Sequence, residues 1–214
     1  MNEQEPEREQ PPSLLRTYAR QLTDGEVIAF PTETFYGLLA RIDRPQALVR
    51  LFELKGRPPN NPLPVIVADL EQTKALWREV PPMAQKLIDA FWPGPLTLIL
   101  PAVETLSELI TAGAGTVGAR QPGSAAARGI AAMTGQALVA TSANPSTRPP
   151  ATSAAQVREY FGDAVTIADG PPLPASRGST VLDLTKWPPL LLRDGDASRQ
   201  RIETILGVSL EMRN

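Results

Sequence analysis

Short apolar runs alternate with stretches of helical spacing along this chain, and its prolines fall mainly between the two. Pro31, Pro58–Pro59, Pro93–Pro95 and Pro149–Pro150 all stand at such junctions. Proline lacks a backbone donor and fixes φ, so it ends elements and stiffens the loops that join them. Of the 214 residues 23 are proline, about 11% where about 5% is usual. The prolines stiffen loops rather than mark a low-complexity linker. EVIAF, PLPVIVA, PLTLIL, TVGAR, ALVATS, AVTIA, STVLDL and LLLR read as strands. Helical spacing runs from Ser13 through Leu22, stopping at Gly25, and resumes near Asp43–Pro45 with Ala47, Leu48, Leu51 and Phe52 as its apolar face. It recurs from Asp69 through Trp77, over about residues 83–91, over SAAARGIAAM, from a cap at Thr152 or Ser153 through Phe161, and over Arg199–Leu206. This alternation defines an α/β fold with a sheet of mixed direction.

Residues 1–12, rich in Glu, Gln and Pro, read as a disordered acidic tail. Residues 13–206 form one domain, with no internal repeat or break in composition, and 207–214 a C-terminal tail. The N-terminus has none of the basic, then apolar character of an export signal. The longest apolar runs, such as PLTLIL, fall far short of a bilayer span. A cytoplasmic protein without membrane contact is expected.

The chain contains neither Cys nor His. Disulfides, thiolate nucleophiles, imidazole bases and almost all transition-metal sites are excluded. Catalysis must then rest on Lys, Arg, carboxylates, hydroxyls, amides and backbone N–H groups, with a hard cation held by oxygens if one is used. With 21 Lys and Arg against 23 Asp and Glu, the net charge is −2, which argues against a surface coated in basic charge but leaves room for a local basic pocket.

Three segments concentrate polar groups at loops. PTETFYG, residues 31–37, follows a strand and crowds Thr32, Glu33, Thr34 and Tyr36 into one loop, where α/β sheets place ligands; a polar turn would use the same residues. KGRPPNNP, residues 55–62, reads as a loop with two cations around a glycine: Lys55 a mobile point charge, Arg57 a planar fork suited to phosphate. A solvated loop after a helix would carry the same cations. ALVATSANPSTRPP delivers Thr141, Ser142 and Asn144 to the carboxyl end of a strand, followed by Arg148. Single polar groups at other strand ends are Arg120, Ser179, Thr180 and Arg193.

The order PTET-x-YGL, KGRP-x-NNPL, FWPGPLT, TV-x-x-R, SAN, STV-x-D and a terminal LLR resembles the YrdC family of L-threonylcarbamoyladenylate synthases, from about Ser13 to Leu206. The resemblance implies an open, strongly twisted mixed sheet flanked by helices, with a large concave cavity. It implies a nucleotidyltransferase reaction in which L-threonine, bicarbonate and ATP, with Mg²⁺ on the phosphates, give threonylcarbamoyl-AMP and pyrophosphate. A separate threonylcarbamoyl transferase would use that product to modify tRNA next to the anticodon. The family's Lys–Arg–Ser–Asn constellation maps to Lys55, Arg57, Ser142 and Asn144, with Lys55 and Arg57 as the catalytic cations. Arg57, Asn61, Thr116, Ser142, Asn144 and Arg193 would face ATP; Thr34, Arg120, Ala140 and Ser179 would face threonine. No protein side chain is implied as a metal ligand.

This sequence departs from the family pattern at Ile66, where relatives often carry His, at Leu39 after YGL, in the PSTRPPAT loop with Thr147 and Pro150, and at Asp194 in LRDG. These departures motivate an alternative: a family-like module that contacts RNA or nucleotide without synthase activity. A third reading, a carbamoyl-adenylate former using carbamoyl phosphate, lacks the zinc-finger cysteines and acylphosphatase sequence that accompany it.

Overall fold

A computed structural model describes residues 11–58 and 60–213. The acidic segment 1–10 lies outside the described residues, and Pro12 already belongs to the first helix. Helix α1 (Pro12–Thr23) starts one residue before the boundary read from sequence, because proline at a first helical position leaves no donor unpaired. Strands β1 (Ile28–Pro31) and β2 (Tyr36–Arg41) form an antiparallel pair. β2 is not announced by any alternation: all six of its residues are buried, so it reads as neither a period-2 nor a helical pattern. The polar loop expected over 31–37 shrinks accordingly to a turn over residues 32–35.

Helix α2 (Pro45–Lys55) ends at Gly56, whose left-handed backbone (φ 56°) closes it. β3 (Val65–Ile66) is only two residues long, because Pro62 and Pro64 cannot extend the ladder. The helix expected from Asp69 to Trp77 is a 3-10 turn over Glu71–Ala75, with Asp69 Oδ1 accepting from the Gln72 N–H at 3.0 Å. α3 (Pro82–Phe91), β4 (Leu96–Pro101) and a short α4 (Glu108–Thr111), absent from the sequence reading, follow. Next come β5 (Thr116–Arg120), α5 (Ala125–Thr134), β6 (Leu138–Ser142), α6 (Ala154–Phe161) and β7 (Thr166–Ile167). Ser153, rather than Thr152, caps α6 by accepting from the Gln156 N–H. β8 (Thr180–Asp183), β9 (Leu190–Arg193), α7 (Arg199–Leu206) and β10 (Glu211–Met212) complete the chain. The segment assigned to a C-terminal tail thus adds an edge strand, parallel to β9.

The strands form one mixed sheet in the order β10-β9-β8-β4-β5-β3-β6-β2-β1-β7. Its two faces are treated differently. Leu38 and Ala40 of β2, Val65 of β3, Leu96, Leu98 and Leu100 of β4, Val117 and Ala119 of β5, Leu182 of β8 and Leu191 of β9 all join the larger core. Apolar residues of α2, α3, α4, α6 and α7 cover that face. On the opposite face, α1 and α5 pack Tyr18, Leu22, Ala127, Ile130 and Ala131 over Ile28, Phe30, Leu39, Ile66 and Leu138. This second core covers only the β1–β2–β6–β3 side. The same face of β4, β5, β8 and β9 has no helix, and its residues Thr97, Ile99, Gly118, Val181 and Leu192 line a cavity. Among the described residues no helix is long and apolar enough to cross a membrane.

Candidate active site

The cavity, about 480 Å³, is the hollow left on the half-covered face of the sheet. That volume lies in the usual range for sites that take organic ligands. Its floor is the β4, β5, β8 and β9 face. One wall is the β1–β2 turn, another the loop from Arg57 to Pro64, and β6 supplies Ala140, Thr141 and Ser142.

The β1–β2 turn is locked by hydroxyls. Thr32 Oγ1 donates to the Phe35 carbonyl (2.8 Å) and lies 3.1 Å from Thr34 Oγ1. Both threonines are buried against the turn and line the cavity. Pro31 precedes this turn, so its polar groups serve both readings of the motif: they close the turn and face the hollow. Glu33, between them, is not among the lining residues and pairs with Arg120 Nη1.

Arg193 ends β9. Its Nε donates to the Ser179 carbonyl and its Nη2 to Ser179 Oγ, both at 2.7 Å, and Ser179 Oγ lies 2.9 Å from Thr97 Oγ1. This network fixes Arg193 against β8 and β4. Two glycines make it sterically possible. Gly178 adopts φ 81°, and a Cβ on Gly195 would sit 2.3 Å from the Gly178 carbonyl oxygen, closer than any side chain tolerates. The glycine of LLRDG is thus a packing requirement.

Four arginines line the cavity, Arg57, Arg120, Arg193 and Arg213, and no carboxylate does so among the described residues. Burial pushes the Arg57 and Arg193 guanidinium groups below their usual range, and for Arg193 the nearby Arg120 adds to the effect. Cations packed this closely in a partly enclosed site favour a bound anion.

Of the residues marked in the sequence, Thr34, Arg57, Asn61, Arg120, Ala140, Ser142, Ser179 and Arg193 come together around this cavity. Thr116 shares a strand face with Gly118 and Arg120 but stands at the outer end of β5 opposite Pro101, beyond the lining residues. Lys55 and Asn144 do not line it either. The reading of Lys55 as a mobile cation in a solvated loop is corrected: it is the last residue of α2 and only 4% exposed. Its ammonium donates to the Ser142 carbonyl (2.6 Å), the Asn144 carbonyl (2.9 Å) and Asn144 Oδ1 (3.3 Å). Asn144 Nδ2 in turn donates to the carbonyls of Pro145 and Arg148. Lys55 and Asn144 therefore pin the loop that carries Ser142 from behind the cavity wall. Burial, and then the charge of Arg57, push the Lys55 ammonium down to about 8.

Ile66 lines the cavity in register with Arg120 on the neighbouring strand and is fully buried in the second core. The wall beside Arg120 is apolar at Ile66. Sequence reading missed Arg213, because β10 is too short to announce itself. It also missed Thr97 and Val181, which take part only once β4 and β8 pair.

No group of three or more acidic residues that could hold a metal occurs among the described residues. With no carboxylate in the lining, the donor set does not fit a resident hard cation.

Fold and site together define an α/β protein with a cationic cavity, built for anionic ligands and furnished with no protein nucleophile of the Cys or Ser–His type. The sequence pattern of the Sua5/YciO/YrdC family, described under telomere recombination, matches residues 20–195, and the chain belongs to that family. It is 42% identical over 194 residues to the threonylcarbamoyl-AMP synthase of Pyrococcus abyssi (strain GE5 / Orsay), covering 90% of this chain and 57% of that protein. Identity to the threonylcarbamoyl-AMP synthase of Bacillus subtilis (strain 168) is 41% over 191 residues, covering 88% and 55%. The crystal structure of P. abyssi Sua5 complexed with L-threonine superposes with a TM-score of 0.89 at 41% identity, covering 93% of this chain and 58% of that one. The chain thus spans somewhat more than half the length of these relatives.

Proposed function

We propose that this chain is an L-threonylcarbamoyladenylate synthase, a nucleotidyltransferase that converts L-threonine, bicarbonate and ATP into threonylcarbamoyl-AMP and pyrophosphate. The observation that carries the reading is the cavity lined by four arginines and no carboxylate. Its relatives' name and the threonine-bound relative support it.

The reaction asks the protein for charge and position. The threonine amine adds to carbon dioxide derived from bicarbonate and sheds a proton, giving a carbamate. A carbamate oxygen attacks the α-phosphorus of ATP, and pyrophosphate leaves. A carbamate, a carboxylate and a triphosphate must share one site. Arg57 and Arg193 would offset their repulsion and stabilise the charge that gathers on the phosphates. Arg213, at the cavity rim, adds a further cation on that side. Mg²⁺ would enter with ATP as part of the substrate.

Arg120 is suited to the threonine carboxylate, because Nη1 is taken by Glu33 while Nε and Nη2 have no protein partner among the described residues. Thr34, Ala140 and Ser179, which line the same cavity, would complete that subsite. Asn61 and Ser142 offer neutral donors and acceptors to the nucleotide, and Lys55 and Asn144 hold the Ser142 loop in place. Since no protein nucleophile is needed, a chain without Cys or His is competent. The product suits a downstream threonylcarbamoyl transferase acting on tRNA.

Protein mixed with Mg-ATP, bicarbonate and L-threonine should release pyrophosphate, and release should require both threonine and bicarbonate. Absence of turnover, combined with RNA binding that weakens steeply with salt, would replace this reading by the RNA-contacting alternative.

Selectivity gives an independent check. Ile66 offers the threonine methyl an apolar wall, and one methyl in such a pocket is worth about 10–200-fold. Threonine should therefore outcompete serine by about that factor in titrations with ATP present. Equal affinities would show that Ile66 does not form the amino-acid pocket.

A further inference from the structure

We infer that Glu33 sets the specificity of the amino-acid subsite, orienting Arg120 toward the cavity and lowering its net charge so that it accepts a carboxylate in preference to a phosphate. This inference rests on the assignment of Arg120 to the threonine carboxylate.

Glu33 sits between two cavity-lining threonines but is not itself a lining residue. Its Oε1 accepts from Arg120 Nη1, and its Oε2 accepts from the Ser124 N–H at 3.3 Å. The pair is well shielded, with side-chain exposures of 20% for Glu33 and 10% for Arg120. A Cβ on Gly123 would stand 3.1 Å from Glu33 Cγ, so the 121–124 loop closes tightly over the carboxylate. Both carboxylate oxygens and the side-chain stem are thereby held. A guanidinium gripped at Nη1 can present only its remaining edge, Nε with Nη2, in a fixed direction. That edge is the planar fork that matches a carboxylate.

The four cavity arginines are not equivalent. Of the four, Arg120 makes a direct ion pair, while among the described residues Arg57, Arg193 and Arg213 make none, the charge of Asp196 reaching Arg193 without a salt bridge. A paired guanidinium has a net charge near zero, enough for a monoanion held by two directed hydrogen bonds. Unpaired guanidiniums attract a polyanion. The cavity thus holds a directional anion subsite of reduced charge at Arg120 beside more strongly cationic positions at Arg57, Arg193 and Arg213. Without Glu33, both subsites would compete for phosphate.

The test is Glu33→Gln, which keeps the side-chain length and one acceptor but removes the charge. Loss of a hydrogen bond to a charged group typically costs roughly 10–100-fold. In calorimetric titration of the full chain with Mg-ATP present, the Kd for L-threonine should rise by about that factor. In steady state, KM for threonine should rise similarly while kcat at saturating threonine stays within about threefold. Inorganic pyrophosphate, expected to compete with ATP alone in the wild type, should compete with threonine as well in the variant. Glu33→Asp, which keeps the charge, should restore part of the threonine affinity.

A wild type that binds threonine, with a folded Glu33→Gln that binds it equally well and shows no pyrophosphate competition against threonine, would overturn the inference alone. A general fall in kcat and in affinity for both substrates, not rescued by Glu33→Asp, would reduce Glu33 to a structural ion pair and overturn it too. A wild type that binds no threonine would instead remove the functional reading on which it rests.

Discussion

Replacing Arg57 with alanine is expected to lower pyrophosphate release about 10²–10³-fold, the usual cost of losing one preorganised charged donor at a reacting phosphate. The fold should hardly notice. Arg57 is half-buried, its one side-chain hydrogen bond among the described residues goes from Nη2 to the Pro62 carbonyl at 3.2 Å, and it belongs to neither apolar core. Arg57 lines the cavity, and among the described residues no carboxylate shares that lining. The check is a turnover assay beside a denaturant titration on the same preparation. Near-normal turnover, or a large fall in stability, would show that Arg57 is not a substrate contact.

Lys55→Ala is expected to fail differently, with loss of both turnover and stability. The Asn144 carbonyl and Oδ1 lose the ammonium while the Ser142 carbonyl keeps the Asn144 N–H, and a buried acceptor left unsatisfied costs about 1–3 kcal/mol. The Ser142 loop slackens with it, so activity falls through position rather than charge. The effect should depend on pH in a definite direction. An ordinary Lys titrates near 10.5, and burial with the charge of Arg57 brings Lys55 down to about 8. Between those values the folded chain has released the proton that the unfolded chain still holds, so the stability contributed by Lys55 rises with pH across that window and is smallest below about 8. The stability gap between wild type and Lys55→Ala should therefore widen from pH 8 towards 10.5. A gap that stays constant or narrows would mean that the ammonium is not depressed by burial.

Much of the architecture is legible in the chain itself. α7 has the limits that spacing assigns to it, and β4, β5 and β6 lie within the apolar runs PLTLIL, TVGAR and ALVATS. These signals are local: a proline or glycine stands at or near the end of an element, as Pro101 does one residue past PLTLIL at the end of β4, and the period between them names it. The departures occur where local signals are weak or compete. β2 is buried throughout and shows no period. β3 shrinks because flanking prolines cannot pair. β10 is two residues held by its neighbour β9, with nothing in its own sequence to announce a strand.

The candidate site divides in the same way. The sequence narrowed its chemistry: with no Cys or His, and with arginines and hydroxyls at strand ends, the inventory favoured anion binding and charge stabilisation. The order of the motifs named the family. Which arginine would be neutralised, which cation would be buried and which face would stay open were decided by tertiary structure alone. Glu33 and Arg120 are 87 residues apart in sequence, as are Lys55 and the Ser142 carbonyl that it holds. Pairings over that distance depend on the order of strands in the sheet and on the side of it that α1 and α5 cover. Sequence periodicity reports which residues of an element share a face. It carries no information on what is packed against that face, and the half left bare became the cavity.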